Sequence, residues 1–559
     1  MLCRAAFIVV LAAAFAPAAA AQGTQLLPGI TYERTVSFTP HGVVVLHVIT
    51  APRPGGLYAL TPVLAGGTLT GGLEPTTQIE RDVSASATTV GINGDVVRPD
   101  GRPSGVWISD GVLAQAPLAS RSSIGIDAGG TLRVDRVKLF GTWQGTGQRR
   151  TLAGVNAPPT PGQVVLFTSA YGPRTPVVAG AAEAVIGTFP PTAPNADLSG
   201  AVSATASGGG EPIPVGGAVL MAAGGAAAKL QAEARVGTTV HARLGLQPGW
   251  DGVGAALGGG PLLVRNGRAV FRSLEDFTND QVGARSARGA VGQLADGRVI
   301  LVAVDGGRPG YSAGLTSFEL AQALVRLGAL TAAGIESGDS VTAAFDGRLL
   351  NRPSGRRERA VKEALLVEYL GVHAPEPAVP LLTGEAGLTA EPLAFKVVRP
   401  STVTATLVGP DGVQHPVETA VAHPPGTFTF TAATFDREGT WRWDVSALDD
   451  LGRTSTSERT FRYDVTLQAL ALPRSTRGSL RIGFTLTRPA RVTLRIETTG
   501  GVLLRALPAA ALAPGAASIG WDGRLPGGSP AFAGTYVAHL VVESDVGTSE
   551  RSVSFGYRR

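Results

Sequence analysis

Hydrophobic positions along this chain fall mostly into short runs, many alternating with polar residues at period two, and only a few stretches carry a helical period. The runs 41–50, 134–142, 164–168 and 299–304 read as strands, the last of them apolar throughout and therefore buried. Two stretches, 226–234 and 316–327, read as helices. The second carries its own boundary signals: Thr316 and Glu319 stand at capping-box spacing, Leu320, Leu324 and Leu327 share one face, and Gly328 supplies a left-handed stop. Asp305 is thereby placed at the carboxyl end of a strand. The expected class for residues 25–372 is α+β, with a Pro- and Ala-rich linker near 373–380.

Beyond the linker the pattern repeats. Phe395, Arg399, Pro400, Val403, Thr404 and Gly412 recur as Phe484, Arg488, Pro489, Val492, Thr493 and Gly501 at one constant offset. Gly439, Thr440, Trp441 and Gly452 then match Gly534, Thr535, Tyr536 and Gly547 at a slightly larger one. A constant offset with one insertion is the mark of duplication, and alternation such as Val492, Leu494 and Ile496 makes each copy an all-β, immunoglobulin-like sandwich, over 380–466 and 467–559. A fainter echo lies in the larger region. GVWISDG at Gly105 precedes RSSIG at Arg121, as GPLLVRNG at Gly260 precedes RGAVG at Arg288, so two related half-units are expected there.

Length and composition narrow the function. A chain of 559 residues is too long for one core and predicts several domains. Residues 1–21 combine Arg4, an apolar segment, Pro17 and small residues ending at Ala21, the pattern of a cleaved export signal, so a secreted or cell-wall-associated protein is expected. The one cysteine, Cys3, lies inside that segment, which excludes disulfide, thiolate-metal and cysteine-nucleophile chemistry from the remainder. The apolar run 215–228 is broken by glycines and too short to span a bilayer, so no transmembrane helix is expected. Net charge is +5, but the arginines are spread singly, and nucleic acid is not an expected partner. There is no HExxH or phosphate-loop pattern, and no serine-hydrolase elbow is expected; no cofactor is required, and a divalent cation at Asp95, Asp305 or Asp339 has no spacing that demands it.

Candidate chemistry concentrates between Gly258 and Val367, where glycine, arginine, carboxylate and hydroxyl residues gather at the ends of apolar segments. In order along the chain, GINGDVV at Gly91, GRPSGVWISDG at Gly101, RSSIG at Arg121, GVNAPP at Gly154, GGGPLLVRNG at Gly258, RGAVG at Arg288, VDGGRPGYSAGLTSFELA at Val304 and FDGRLLNRPSG at Phe345 resemble the phosphodiester glycosidase family over about residues 85–368. FTLTRPARVTLRI, GWDG at Gly520 and GTYVAHLVV at Gly534 resemble the FlgD-type immunoglobulin-like module over about 475–559, which implies a spacer or attachment role. The first resemblance implies a hydrolase acting on sugar 1-phosphodiester linkages of a phosphorylated or wall glycan. The alternative is a non-catalytic glycan-binding surface protein.

A phosphate leaves as a stabilised anion, so such a site needs cations and amide donors for the phosphate more than a strong acid, together with a carboxylate to activate water or support an oxocarbenium-like carbon. Arg288 and Arg308 are the expected phosphate ligands, with amides around Gly259, Gly260 and Gly338 adding to the cradle. Asp305 is the first choice of carboxylate and Asp95, in the turn after Asn93, the second, with Asn93 itself a substrate contact. The chain departs from the family pattern at Glu336, Ser337, Gly338, Asp339, Ser340 and Val341, which stand where relatives carry an Asp, three glycines and two serines. Val96 and Val97 replace two aromatic residues, and Gly307 replaces an arginine, Arg308 standing one place on. Glu336 and Asp339 therefore join the catalytic candidates and Ser340 the binding ones, in a site retuned for another substrate or one that has lost the reaction.

Overall fold

The computed structural model describes residues 23–270, 274–355, 357–377, 391–432, 435, 437–471, 473–499 and 501–558. The expected export signal at 1–21 lies outside them, as do positions 378–380 of the expected linker. Within that linker, His373 forms an isolated antiparallel bridge with Lys396. The chain divides into two compact units. One holds Ala59–Arg81 and Val90–Val367 with the described residues up to Gly55; the other holds Gly56–Tyr58, Asp82–Thr89 and Glu368–Arg559.

The expected α+β class of the first unit is overturned. Among the described residues the structure is 54% strand and 7% helix, in four helices. The physical reason is visible in the connections: neighbouring antiparallel strands join through tight hairpins, such as Ser123–Asp127 with Leu132–Asp135 and Arg288–Leu294 with Val299–Val304, so few crossover helices are needed. Two of the helices lie where the period put them, at Gly225–Glu233 and Ser317–Arg326, while Thr76–Asp82 and Asn279–Gly283 were not expected. The second has the expected capping box, with Thr316 and Glu319 each accepting from the other's backbone amide, and Gly328 at φ 88° beyond its end. Its Leu320 and Leu324 pack on Val302 and Val304 in one apolar cluster.

Strands form at Gly42–Ala51, Val164–Thr168 and Val299–Val304, the last buried at every position. The run 134–142 instead divides into Leu132–Asp135 and Lys138–Gln144, which lie in different sheets. The two half-units hinted at by the sequence share one strand order. Val112–Gln115, Trp107–Ser109, Val253–Gly258, Ser123–Asp127 and Leu132–Asp135 lie side by side in one sheet. Arg268–Ala269, Leu262–Arg265, Ala329–Gly334, Arg288–Leu294 and Val299–Val304 do so in another. In each, two hairpins are made first and a fifth strand then enters between them, returning from far along the chain at Val253–Gly258 and after one helix at Ala329–Gly334. The ends of those returning strands, at Gly258 and Gly334, bring distant sequence to one place.

In the second unit the duplication is written into the sheets. Gln414–His423, Ser401–Val408, Gly439–Asp449 and Thr454–Tyr463 are ordered as are Leu503–Leu512, Ala490–Thr498, Gly534–Glu543 and Thr548–Arg558. Each copy has its own core, around Phe395, Trp441 and Trp443 in the first and Phe484, Trp521 and Tyr536 in the second.

Candidate active site

Three segments converge on Gly94. The strand Thr88–Asn93 is buried along its length, and at its end the Asn93 side chain accepts from the Thr342 amide at 3.0 Å while the Asn93 amide donates to the Thr342 carbonyl at 3.2 Å. The Gly94 amide donates to the Glu363 carbonyl at 2.7 Å, and the Gly94 carbonyl accepts from the Glu336 amide at 3.2 Å. Asp95 follows, its amide donating to Glu363 Oε1 at 2.9 Å. A methyl group on Gly258 would stand 2.1 Å from Asp95 Oδ2, so only glycine at the end of Val253–Gly258 lets that carboxylate lie against the returning strand. On its other side Asp95 Oδ1 accepts from Arg121 at 3.1 Å, and the Arg121 guanidinium sits 4.4 Å from the centre of the Phe277 ring.

The result is a cluster of three carboxyl groups, Asp95, Glu336 and Glu363, beside one guanidinium. Burial pushes the Asp95 carboxyl up, with Arg121 pulling the other way. Glu363 is wholly buried and pushed well above the usual carboxylate range, first by burial and then by the charge of Asp95. Glu336, which alone of the three reaches solvent, is raised to about 7 by burial, with the charges of Asp95 and Asp339 adding to the rise and Ser340 and Arg359 opposing it. Oε2 of Glu336, Oε2 of Glu363 and Nε of Arg121 are buried with no hydrogen-bond partner. Polar atoms left in that state are costly unless something else meets them.

Asp305 stands elsewhere and in different circumstances. The register pairs Arg288 with Val304, and successive side chains of a strand alternate faces, so Arg288 and Asp305 share a sheet end but occupy opposite faces. Asp305 is fully buried and accepts from His47 Nε2 at 2.9 Å, the Tyr311 hydroxyl at 2.8 Å, Asn351 at 3.0 Å and the Arg352 amide at 3.1 Å. Burial alone pushes this carboxyl up, but the bonds from His47, Tyr311 and Asn351 outweigh it and hold the group below its ordinary value. His47 Nδ1 in turn meets the Tyr32 hydroxyl at 2.8 Å. With its lone pairs occupied by four donors, Asp305 ties together three segments of chain, at His47, Tyr311 and Asn351–Arg352, and has no free oxygen for water or a cation.

The arginines expected to bind phosphate are likewise occupied. Arg288 donates to the carbonyls of Leu315, Gln281 and Ala284 and to the Ser337 hydroxyl, at 2.6 to 3.1 Å. Arg308 donates to the carbonyls of Pro353 and Gly355. The expected amide cradle is closed as well: the Gly259 amide donates to Ser122, that of Gly260 to Gly334 and that of Gly338 to Ala287. Asp339 is exposed and pairs with Arg359 at 2.6 Å, while Ser340 is buried and hydrogen-bonds Glu336. The structure thus brings Asp95, Glu336, Asp339 and Ser340 together with Gly94 and Gly258. It turns the side chain of Asn93 and the donors of Arg288 and Arg308 toward backbone.

Sequence reasoning did not single out Arg121, Arg359 or Glu363 as site residues. The signal for Arg121 was its place in RSSIG, the first-half counterpart of RGAVG at Arg288. Glu363 opens the strand Glu363–Tyr369 just before the apolar run Ala364–Val367, and that position was its only mark. Among the described residues no group of three or more His, Cys, Asp or Glu is disposed to hold a metal ion. Nor is any helix among them long and apolar enough to cross a membrane.

Residues 193–368 match the sequence profile of the phosphodiester glycosidase family, and residues 472–545 that of the FlgD Ig-like domain. The first match contains Glu336 and Glu363 and begins beyond Asp95 and Arg121. An uncharacterized SPbeta prophage-derived protein of Bacillus subtilis (strain 168), YomE, is 30% identical over 98 residues, 18% of this chain and 15% of its own length. A hypothetical protein from Synechocystis, known from its crystal structure, aligns with 61% of this chain and 62% of its own at 26% identity and a TM-score of 0.52. The catalytic domain of zebrafish N-acetylglucosamine-1-phosphodiester alpha-N-acetylglucosaminidase aligns with 62% of this chain and 86% of its own at 16% identity and a TM-score of 0.35. The chain therefore spans less than two thirds of the length of the first two.

Proposed function

We propose that this protein is an exported hydrolase of sugar 1-phosphodiester linkages in wall or extracellular glycans, with Glu336 as the reacting carboxylate. The observation that carries the reading is Glu336 itself, a solvent-reaching acid raised to about 7 in a cluster whose other two carboxyl groups are buried. A group titrating near neutrality is a competent general base and general acid. In its ionised form Glu336 takes a proton from water as that water adds to the anomeric carbon. The bond from that carbon to the phosphate oxygen breaks, and its electron pair leaves with the phosphate. Arg121, beside Asp95, and the exposed Arg359, beside Asp339, supply positive charge for the departing anion. Asp95 and Glu363 are positioning residues: they hold Arg121 and the Gly94 turn, and the Asp95 charge helps keep the Glu336 proton available near neutral pH. The export-signal pattern at 1–21 supports an extracellular setting, and the two sandwiches support a spacer role.

The test is release of free sugar from a panel of sugar 1-phosphodiester model compounds by the purified full chain. The rate is expected to follow a group titrating near pH 7. A second reading, a glycan-binding protein without catalysis, is favoured by the engagement of Arg288 and Arg308 with backbone carbonyls. It predicts binding of the same compounds with no sugar released and no effect of Glu336→Gln.

A further inference from the structure

A cavity of about 490 Å³ opens beside the Arg121 side of the carboxylate cluster. Its walls include Leu263, Val270, Phe277, Val282 and Phe318, together with Leu274, which is 79% exposed. Two of the polar groups that line it are engaged within the protein. The Glu275 carboxylate accepts from the Ser122 amide at 2.6 Å and the Leu262 amide at 2.7 Å. The Thr316 hydroxyl belongs to the capping box of Ser317–Arg326. Cavity and site share structure: the Phe277 ring that lines the one carries the Arg121 guanidinium of the other, and Glu275 fixes the residue next to Arg121.

We propose that this cavity holds the alkyl chain of the alcohol esterified to the substrate's phosphate, so that the substrate is an amphiphilic sugar phosphodiester. The inference rests on reading the carboxylate cluster as a phosphodiester site. A second sugar is a poor occupant, because only four of the thirteen lining residues, Glu275, Asn279, Thr316 and Ser317, carry polar side chains, and the first and third are already bonded, so most of its hydroxyls would lose water against apolar wall. A protein partner is poor too. Stable interfaces use about 20–30 residues a side, and thirteen residues line this cavity. An alkyl chain needs mainly apolar walls near a cation for its phosphate, and Leu263, Val270, Phe277, Val282 and Phe318 supply the first while Arg121, over the Phe277 ring, supplies the second.

The experiment is titration calorimetry of the full chain with butyl, hexyl and octyl phosphate below their micelle concentrations. These probes carry no sugar and are not hydrolysed as glycosides, so their binding is read independently of activity. Affinity should tighten about fourfold for each added methylene while the chain enters the cavity. The double variant Leu274→Asp, Val282→Asp, checked for an unchanged melting midpoint, should flatten the series and leave butyl phosphate binding as it was. A flat series in the wild-type protein overturns the proposal, even if sugar phosphodiesters are hydrolysed. A graded series in a protein that releases no sugar keeps the alkyl site and rejects the hydrolase. Self-association in sedimentation that the double variant abolishes, with no dependence on chain length, assigns the cavity to a second copy and overturns the proposal.

Discussion

Asp305 and the Asp95–Glu336–Glu363 cluster are both buried acid centres of the same unit, each beside the end of a buried strand, and their chemistry is opposite. Around Asp305, donors are abundant: an imidazole, a phenol, an amide side chain and a backbone amide meet its two oxygens, and the carboxylate is held ionised. Around Glu336 and Glu363, donors are scarce, each has an oxygen without a partner, and both are pushed toward the protonated form. Burial acts the same way at both places. The supply of hydrogen-bond donors decides whether a buried carboxyl becomes a rigid hub or a proton-exchanging group.

The contrast breaks first on activity. Replacing Glu336 with Gln keeps its shape and removes its titration, so kcat toward a sugar phosphodiester should fall about 10²- to 10⁴-fold while the urea midpoint holds or rises. A variant with full activity would move the reacting group elsewhere. Replacing Asp305 with Ala should do the reverse, costing about 3–5 kcal/mol of stability because His47, Tyr311 and Asn351 lose their common acceptor inside the protein. Residual activity per folded molecule should be close to wild type. Loss of activity in a variant as stable as the parent would restore Asp305 to the chemistry.

Stability against pH sharpens the difference, because the two centres carry opposite signs. The folded protein raises Glu336 from 4.5 to about 7, so it binds that proton more tightly than the unfolded chain. The resulting stabilisation is complete below 4.5 and lost as pH rises through 7. Asp305 is held below its ordinary 3.8, so its contribution is present above 3.8 and lost as pH falls beneath it. In urea midpoints taken between about pH 3 and pH 8, Glu336→Gln should flatten only the neutral limb. Asp305→Asn should flatten only the acid limb. A single variant that flattened both would show the centres to be coupled.

Much of the frame was legible in the chain. The strand Val299–Val304 and the capped helix after it announce themselves locally, through an unbroken apolar run and a Thr-x-x-Glu box. The duplicated sandwiches announce themselves by repetition. The class of the first unit did not, because a period of two does not say how strands are joined, and here they are joined largely by hairpins. The run 134–142 failed for a related reason: Val137 keeps the apolar count high across a point where the chain passes between sheets. At the site, Asp95 and Glu336 stood out as acids among glycines. What separates them from Asp305 is who supplies the donors, and those are remote in sequence: His47 lies 258 positions from Asp305, and Glu363 lies 268 from Asp95. Arg288 shows the same limit, since a guanidinium flanked by glycine looks free until Leu315, Gln281 and Ala284 are found turned toward it.

That arginine gives a smaller and more discriminating test. Burial lowers Arg288 to about 10, and its fork ties the segment 281–284 and the start of Ser317–Arg326 to the strand it begins. Arg288→Lys keeps the charge but cannot reach three carbonyls in that geometry, so about 2 kcal/mol of stability should be lost. KM for a phosphodiester should stay the same. A tenfold rise in KM without loss of stability would make Arg288 a phosphate ligand after all and erase the distinction between occupied and available arginines.

Arg359 carries that distinction to its smallest expected effect on the fold. Its guanidinium is half exposed and bonds Asp339, which is more exposed still, an ion pair of the kind worth about 0–1 kcal/mol. Arg359→Ala should therefore leave the melting midpoint almost unmoved. Its charge nevertheless opposes the rise of Glu336. Removing it should shift the pH profile of sugar release to higher pH and raise KM, since one of the two cations offered to the leaving phosphate is gone. Asp339→Asn removes a charge that pushes Glu336 up and should shift the same profile to lower pH. Opposite shifts from two exposed neighbours, with stability unchanged in both, would tie the observed titration to Glu336. Shifts of one sign, or none, would mean that the activity reports some other group.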